Sequence, residues 1–393
     1  MKVLMINVVC GIRSTGRICT DLAAILEAQG HEVKIAYGRE NVPEQFQKYA
    51  VRIGADLDIK LHGVKARLLD GAGFGSETAT VKFIEWVKAF EPDVIHLHNL
   101  HGYYIHMGIL FEYLRNCGKK IIWTLHDCWS FTGHCVYFDY VGCDKWKTGC
   151  GKCPQKSEYP ARIGPDMSKR HYEFKKELFT GISNMTLVTP SQWLADLVSE
   201  SYIKEYPIKI IHNGVDTGIF KPTESNIKEK YNCQNKKIVL GVASVWDKRK
   251  GLNSFTELAK RLDDSYQIIL VGLSKAQIDK MPENVIGLER TDSVQELVEL
   301  YTAASVFVNP TLEDNYPTTN IEAIACGTPV VTYETGGSSE SARMYGLSVP
   351  KKHMGKLIHA IENIDHIWPG KIDIDYKNAV RKYVELYEEN KKI

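Results

Sequence analysis

No stretch of this sequence approaches the ~20 consecutive apolar residues that a membrane-spanning helix needs. Nor does the start read as a secretory segment: MKVLMINVVCGIRSTGR has one lysine and a short apolar run that meets Gly11 and Arg13. That run reads as a buried first strand. The expectation is a cytoplasmic protein, whose ten cysteines are reduced thiols or metal ligands rather than disulfides. Charge of one sign is lacking too. Lys and Arg number 49 against 48 Asp and Glu, which argues against nucleic acid as a partner. Low-complexity segments and short repeats are absent, and the glycines after the first strand lack the dinucleotide-binding spacing.

What is there is an ordinary globular balance, 44% hydrophobic and 25% charged over 393 residues. At ~100–200 residues per domain this means two domains. Strand patterns at 2–9, 31–38, 93–99, 119–127 and 185–191 alternate with helical ones, which predicts an α/β fold with a parallel sheet. A last strand and turn at 206–216 carries the turn signal Asn213-Gly214. The series restarts with strands at 236–245, 266–273, 284–290, 305–311 and 328–333, with helices predicted at 251–262, 294–303 and 319–326. The expected domains are 1–207 and 208–373. A C-terminal helix within 374–393 presents Val380, Val384, Leu386 and Tyr387 on one face.

Ligands of open parallel sheets bind beyond the carboxyl ends of the strands, so residues just after each strand are the candidates. GIRSTGR (11–17) offers glycines and a helix N-terminus, and fits a plain strand–helix turn equally well. His98 and His101 follow one strand, and His126 and Asp127 another. WDKRKG (246–251) puts Lys248, Arg249 and Lys250 before a helix, an arrangement suited to a diphosphate. In NPTLEDNYPTTNIEAIACGTPVV (309–331), Asp314 lies in a loop, Thr318, Thr319 and Asn320 open a helix, and Glu322 lies on it.

Together STGRI, PDVIHLHN, TLHDCWSFTGHC, VTPSQWL, HNGVDTGIF, DKRKGL and the acidic pair ending in IEAIACGTPVV resemble the retaining glycosyltransferases of family four. The ordered matches run over nearly the whole chain, and are most similar to enzymes of bacterial capsule, O-antigen and exopolysaccharide synthesis. The resemblance implies a GT-B fold, with two doubly wound Rossmann-like domains facing a central cleft and a C-terminal helix returning to the first. It also implies transfer of a sugar from a UDP or GDP donor to a glycan or lipid-linked acceptor, without a catalytic metal.

Residue by residue, the resemblance places His126 under the donor sugar, Lys250 on the diphosphate, Glu322 on the ribose and Asp314 near the sugar hydroxyls. Gly16 lies near the diphosphate and acceptor. Thr318, Thr319 and Asn320 face the leaving group, and Arg290 and Thr291 lie near the base. Arg17, His98, His101 and Asp127 fall on the acceptor side. Ser244 stands where many members carry a second arginine, with Arg249 as the candidate substitute, and Pro317 removes an amide from the phosphate loop.

Two features remain. MSKRHYEFKKELF (167–179) is basic and aromatic at helical spacing, and suits either a membrane surface or a solvated helix face. Cys135, Cys143, Cys150 and Cys153 are spaced to close a structural zinc site, or are reduced thiols in a long loop. Other readings are an epimerase or hydrolase on the same fold, a non-catalytic sugar-nucleotide binder, and a zinc or redox protein.

Overall fold

Apolar runs such as Val3–Ile6 and Ile121–Trp123 are buried throughout, as parallel strands covered on both faces require. The computed structural model describes residues 1–69, 71–370 and 372–389. It divides into two units, Met1–Ile211 with the chain from Val380 onward, and His212–Ala379. Positions 390–393 of the expected C-terminal segment lie outside the described residues.

The first unit holds a seven-stranded parallel sheet of β1 (Lys2–Ile6), β2 (Glu32–Tyr37), β3 (Ala50–Arg52), β4 (Val94–Leu97), β5 (Lys120–Thr124), β6 (Met185–Thr189) and β7 (Ile208–Ile210). Their order is β3-β2-β1-β4-β5-β6-β7. Met5 of β1 registers with Ile35 on one side and His96 on the other. The helices are α1 (Arg13–Ala28), α2 (Asp56–Leu69), α3 (Glu77–Phe90), α4 (Met107–Asn116), α5 (Ser168–Phe179) and α6 (Gln192–Ser199).

The second unit holds a six-stranded parallel sheet of β8 (Lys237–Val242), β9 (Tyr266–Val271), β10 (Val285–Leu288), β11 (Val306–Asn309), β12 (Val330–Tyr333) and β13 (Gly346–Val349). Their order is β10-β9-β8-β11-β12-β13. Its helices are α7 (Ile227–Lys230), α8 (Leu252–Arg261), α9 (Lys275–Ile278), α10 (Val294–Ala303), α11 (Thr318–Ala325), α12 (Ser338–Ala342) and α13 (Met354–Glu362), followed by α14 (Tyr376–Glu388). Strands β3 and β13 were not expected. Both are short edge strands with partly exposed residues, so neither has a buried apolar run to announce it.

The later turns of α14 belong to the first unit. There Tyr383 and Tyr387 are buried. The Tyr387 hydroxyl lies 2.6 Å from His96 Nδ1, and the Tyr383 hydroxyl 3.0 Å from Thr124 Oγ1. Thr124 Oγ1 is in turn 2.8 Å from His96 Nε2. The helix thus returns to the first sheet, as the resemblance implies, and is held there by a closed polar network as well as by packing.

Candidate active site

In the second unit the candidate site starts at the end of β8. The Asp247 carboxylate accepts the N–H groups of Arg249 and Lys250, at 2.9 and 3.1 Å, and the Arg249 guanidinium folds back to it at 2.9 Å. Gly251 follows with φ 75°, and a Cβ there would lie 2.0 Å from the Pro310 carbonyl oxygen. Only glycine therefore lets the loop after β8 press against the loop after β11. That approach brings Lys250 Nζ to 2.6 Å from Asp314 Oδ2.

Beyond Asp314, α11 starts at Thr318 with Pro317 as a cap that supplies no side-chain hydrogen bond. Thr318 and Thr319 are half-buried at this positive helix end. Asn320 is engaged within the protein. Its amide N–H bonds to the Pro317 carbonyl at 3.2 Å. Its side chain accepts from Asn309 at 2.8 Å and donates to Ser341 Oγ at 2.9 Å and Ser338 Oγ at 3.1 Å. Asn320 locks α11 to β11 and α12, with both amide hydrogens engaged.

Glu322, half-buried one turn into α11, accepts the Tyr301 hydroxyl at 2.9 Å. Arg290 is exposed and Thr291 half-buried. They follow β10, the outermost strand on that side of the sheet. Neither makes a side-chain hydrogen bond to the Lys250–Asp314 pair.

In the first unit the strand-end histidines meet. His98 Nδ1 is 3.0 Å from His126 Nε2, with the rings stacked. Burial lowers the His126 pKa to about 4 and pushes that of His98 well down, so both imidazoles are neutral near pH 7. His101 Nε2 lies 2.7 Å from Asp127 Oδ2, while Asp127 Oδ1 accepts the Trp129 N–H at 2.9 Å. Burial raises the Asp127 carboxyl, but the charge and hydrogen bond of His101 and the Trp129 amide outweigh it, and its pKa falls below the ordinary value.

Gly16 is not in the loop after β1 but inside α1, which begins earlier than expected. It sits there because a Cβ would lie 3.1 Å from Val9 and 3.2 Å from the Gly11 amide. Arg17 is exposed on α1. A neighbouring cavity adds residues that the sequence reading missed, namely Arg13, Arg39 and Tyr159. His101 also lines it, and its Nδ1 is 3.2 Å from the Tyr159 hydroxyl. Arg39 follows β2 almost directly, so the same rule of reading strand ends covers it. Tyr159 comes from a distant loop, and no local pattern announces it. In the second unit the missed residues are Asp247 and Tyr301.

The cysteine loop leaves β5 just after His126. Cys135, Cys143, Cys150 and Cys153 line one cavity with His134. A hydrogen bond from Cys135 lowers the Cys153 pKa, while the same bond and burial raise that of Cys135. Gly133 N–H donates to Cys150 Sγ at 3.2 Å. Among the described residues, however, no group of three or more His, Cys, Asp or Glu side chains is arranged to hold a metal ion. Packing closes the loop. Phe138 stacks on Trp146 at 4.9 Å, and Phe131 meets Trp146 edge-on at 5.3 Å. The buried ammonium of Lys175 donates to the carbonyls of Trp129 and Thr132 at 2.8 and 3.1 Å and lies 3.4 Å from the centre of the Trp129 ring.

Family models match both units. The model described as Glycosyltransferase Family 4 matches residues 15–218, more than half of the chain. The chain belongs to glycosyltransferase family 4. A second model, glycosyl transferases group 1, matches this family 4 enzyme over residues 236–365, the part that carries Lys250, Asp314 and Glu322.

Among its relatives is the Escherichia coli (strain K12) protein designated a colanic acid biosynthesis glycosyl transferase, WcaC. The two are 26% identical over 88% of this chain and 86% of that protein. The Salmonella typhimurium O-antigen chain mannosyltransferase RfbU is 27% identical over 50% of this chain and 55% of its own. Of solved structures, sucrose-phosphate synthase from Thermosynechococcus elongatus superposes with TM-score 0.69 at 16% identity, covering 99% of this chain and 98% of that one. Anabaena Alr3699/HepE in complex with UDP superposes with TM-score 0.65 at 13% identity, covering 99% and 100%. The family 4 enzyme has their GT-B fold.

Proposed function

We propose that this glycosyltransferase moves a sugar from a nucleoside diphosphate sugar to a hydroxyl of a lipid-linked glycan in bacterial surface polysaccharide synthesis, with retention at the anomeric carbon. The observation that carries this reading is the Lys250–Asp314 pair at 2.6 Å, beside a helix N-terminus whose first residues are Thr318 and Thr319. A cation and helix amides fixed in place favour the charge that builds on a departing diphosphate. Glu322, oriented by Tyr301, is the acceptor for two ribose hydroxyls.

In the proposed step the bond from the anomeric carbon to the diphosphate oxygen breaks. The acceptor oxygen attacks the same face, and its proton passes to the departing phosphate oxygen. Lys250 and the amides at the start of α11 stabilise that oxygen. His126, neutral in its buried setting, offers a hydrogen bond to the sugar without adding charge. His101 and Asp127 orient the acceptor. The relatives support the setting. The colanic acid and O-antigen proteins are named for such glycans. A Campylobacter jejuni relative, 29% identical over 37% of this chain and 42% of its own, is named as acting on a diphospho-undecaprenol acceptor.

A panel of UDP- and GDP-sugars, screened by thermal denaturation, tests the donor. A true donor at about 100 times its Kd adds about 2.7 kcal/mol to stability. The matching sugar then yields a product whose anomeric configuration, read by NMR, equals that of the donor. An inverted product, or conversion of the donor to an epimer without acceptor, overturns the proposal.

A further inference from the structure

Helix α2 carries apolar side chains on two opposite faces. The inner face, Ile59, His62 and Ala66, holds the helix to the first unit. His62 Nε2 accepts the Gly75 N–H at 3.1 Å, and its Nδ1 lies 3.0 Å from Ser76 Oγ. The outer face is Leu57, Leu61, Val64 and Leu68, exposed by 66%, 60%, 54% and 53%. The spacing i, i+4, i+7, i+11 confines these four to roughly 60° of arc on a 3.6-residue helix. Ile163, also exposed, lies beside the last turns of α2, its N–H donating to the Arg67 carbonyl at 2.8 Å.

The charges flank this stripe in a definite pattern. Lys60 and Arg67 project, exposed, on one side; Lys65, on the other, donates to the Phe74 carbonyl at 2.6 Å and lies 3.8 Å from Glu77. The acids of the helix, Asp56 and Asp58, lie in its first turn. Asp56 pairs with Arg52, and Asp58 accepts the Ala55 N–H at 2.7 Å. A narrow aliphatic ridge bordered by long cations is what a helix lying in the plane of a bilayer presents. The leucines enter the acyl boundary, and the cations reach the headgroups. Protein–protein interfaces, by contrast, are depleted in lysine.

We infer that the outer face of α2 docks on an anionic lipid surface. The basic, aromatic segment 167–179 does not form this surface by itself. Its His171, Tyr172 and Phe179 turn into the core as α5, and of its aromatics only Phe174 is exposed. No helix among the described residues is long and apolar enough to cross a membrane, so contact through α2 is interfacial. This inference extends the proposed lipid-linked acceptor but does not depend on it, because vesicle binding needs neither donor nor acceptor.

The test is flotation of the full chain with phosphatidylcholine vesicles, with and without about 30% phosphatidylglycerol, each cation contributing about fivefold to binding the anionic surface. The expected result is binding to the anionic vesicles only, weakened by salt. Leu61→Gln with Leu68→Gln should lower the partition coefficient more than about tenfold. Lys60→Glu with Arg67→Glu should lower it at least as much, while the melting temperature of both variants stays near that of the parent. Failure of the parent to float with anionic vesicles overturns the inference, as does equal flotation of the leucine variant. Self-association of the parent that both variants abolish would assign the face to a second copy and overturn it as well.

Discussion

Lys250 Nζ and Asp314 Oδ2 lie 2.6 Å apart, although 64 positions separate the two residues in sequence. Both side chains are mostly withdrawn from solvent, at 27% and 14% exposure, so the pair is less screened than a surface ion pair. A diphosphate reaching Lys250 must therefore compete with an anion already in place. Lys250→Ala should lower kcat/KM about 10²–10³-fold, the effect of removing one donor from a developing anion. Asp314→Asn should do the opposite to product binding. With the competing carboxylate neutralised, UDP or GDP binds more tightly in calorimetry while transfer slows. Unchanged turnover in Lys250→Ala would remove it from the site.

Tyr301→Phe isolates the support of Glu322. The phenol that donates to the carboxylate at 2.9 Å is lost with little change in shape. The donor should bind about five- to tenfold more weakly, the scale of the net contribution of one ordinary intramolecular hydrogen bond. Steady-state kinetics should show this in KM, with kcat close to the parent. A change confined to kcat would mean that Glu322 acts in the chemical step instead.

Acid should unfold the first unit through its buried histidines. Burial lowers the pKa of His62 to about 4, of His96 to about 3 and of His126 to about 4, from an ordinary value of 6.5. A base whose folded pKa is depressed is neutral in the native state and protonated first in the unfolded one. Its contribution is whole above about pH 6.5 and is lost as pH falls toward about 4, on the order of 3 kcal/mol per group. Calorimetric scans should show the melting temperature falling across that window, with part of the slope removed in His62→Gln. A flat profile between those limits would contradict the burial assigned here.

The return of α14 can be probed at Tyr387. Its hydroxyl is 2.6 Å from His96 Nδ1 in a buried setting. Tyr387→Phe leaves the imidazole without that partner and should cost about 1–3 kcal/mol. Denaturant titration followed in the first unit measures it. Amide exchange in the last turns of α14 should accelerate in the same variant.

The two β/α series were legible in the sequence because their signals are local. Apolar runs, glycine and Asn-Gly turns and helical spacing repeat within about ten residues. The strand-end rule then brought out His98, His126, Lys250 and Asp314 without any contact being known. The rule was applied unevenly, and Arg39 after β2 was passed over. Asp247 was in plain view as a helix-capping residue two positions before Arg249. Other side chains have partners that no strand-end rule supplies. Asn320 looked like a ligand donor because it opens a helix, but Ser338, Ser341 and Asn309 take up its side chain. The spacing of the four cysteines left a zinc set and reduced thiols both open, and only the tertiary structure brings all four to one cavity.

By itself, then, the sequence determined the order of elements, the doubling of the parallel sheet and the positions at which chemistry-bearing side chains leave it. Those properties follow from periodicity and turn chemistry along the chain. The tertiary structure decided which partner each polar group takes. It closed the cysteine loop on Trp146 and Lys175 and spent Tyr383 and Tyr387 on holding α14 to the first sheet. It also left Leu57, Leu61, Val64 and Leu68 facing outward. The physical reason is that burial and hydrogen-bond satisfaction depend on groups brought together from distant parts of the chain. No local pattern records which neighbours those will be.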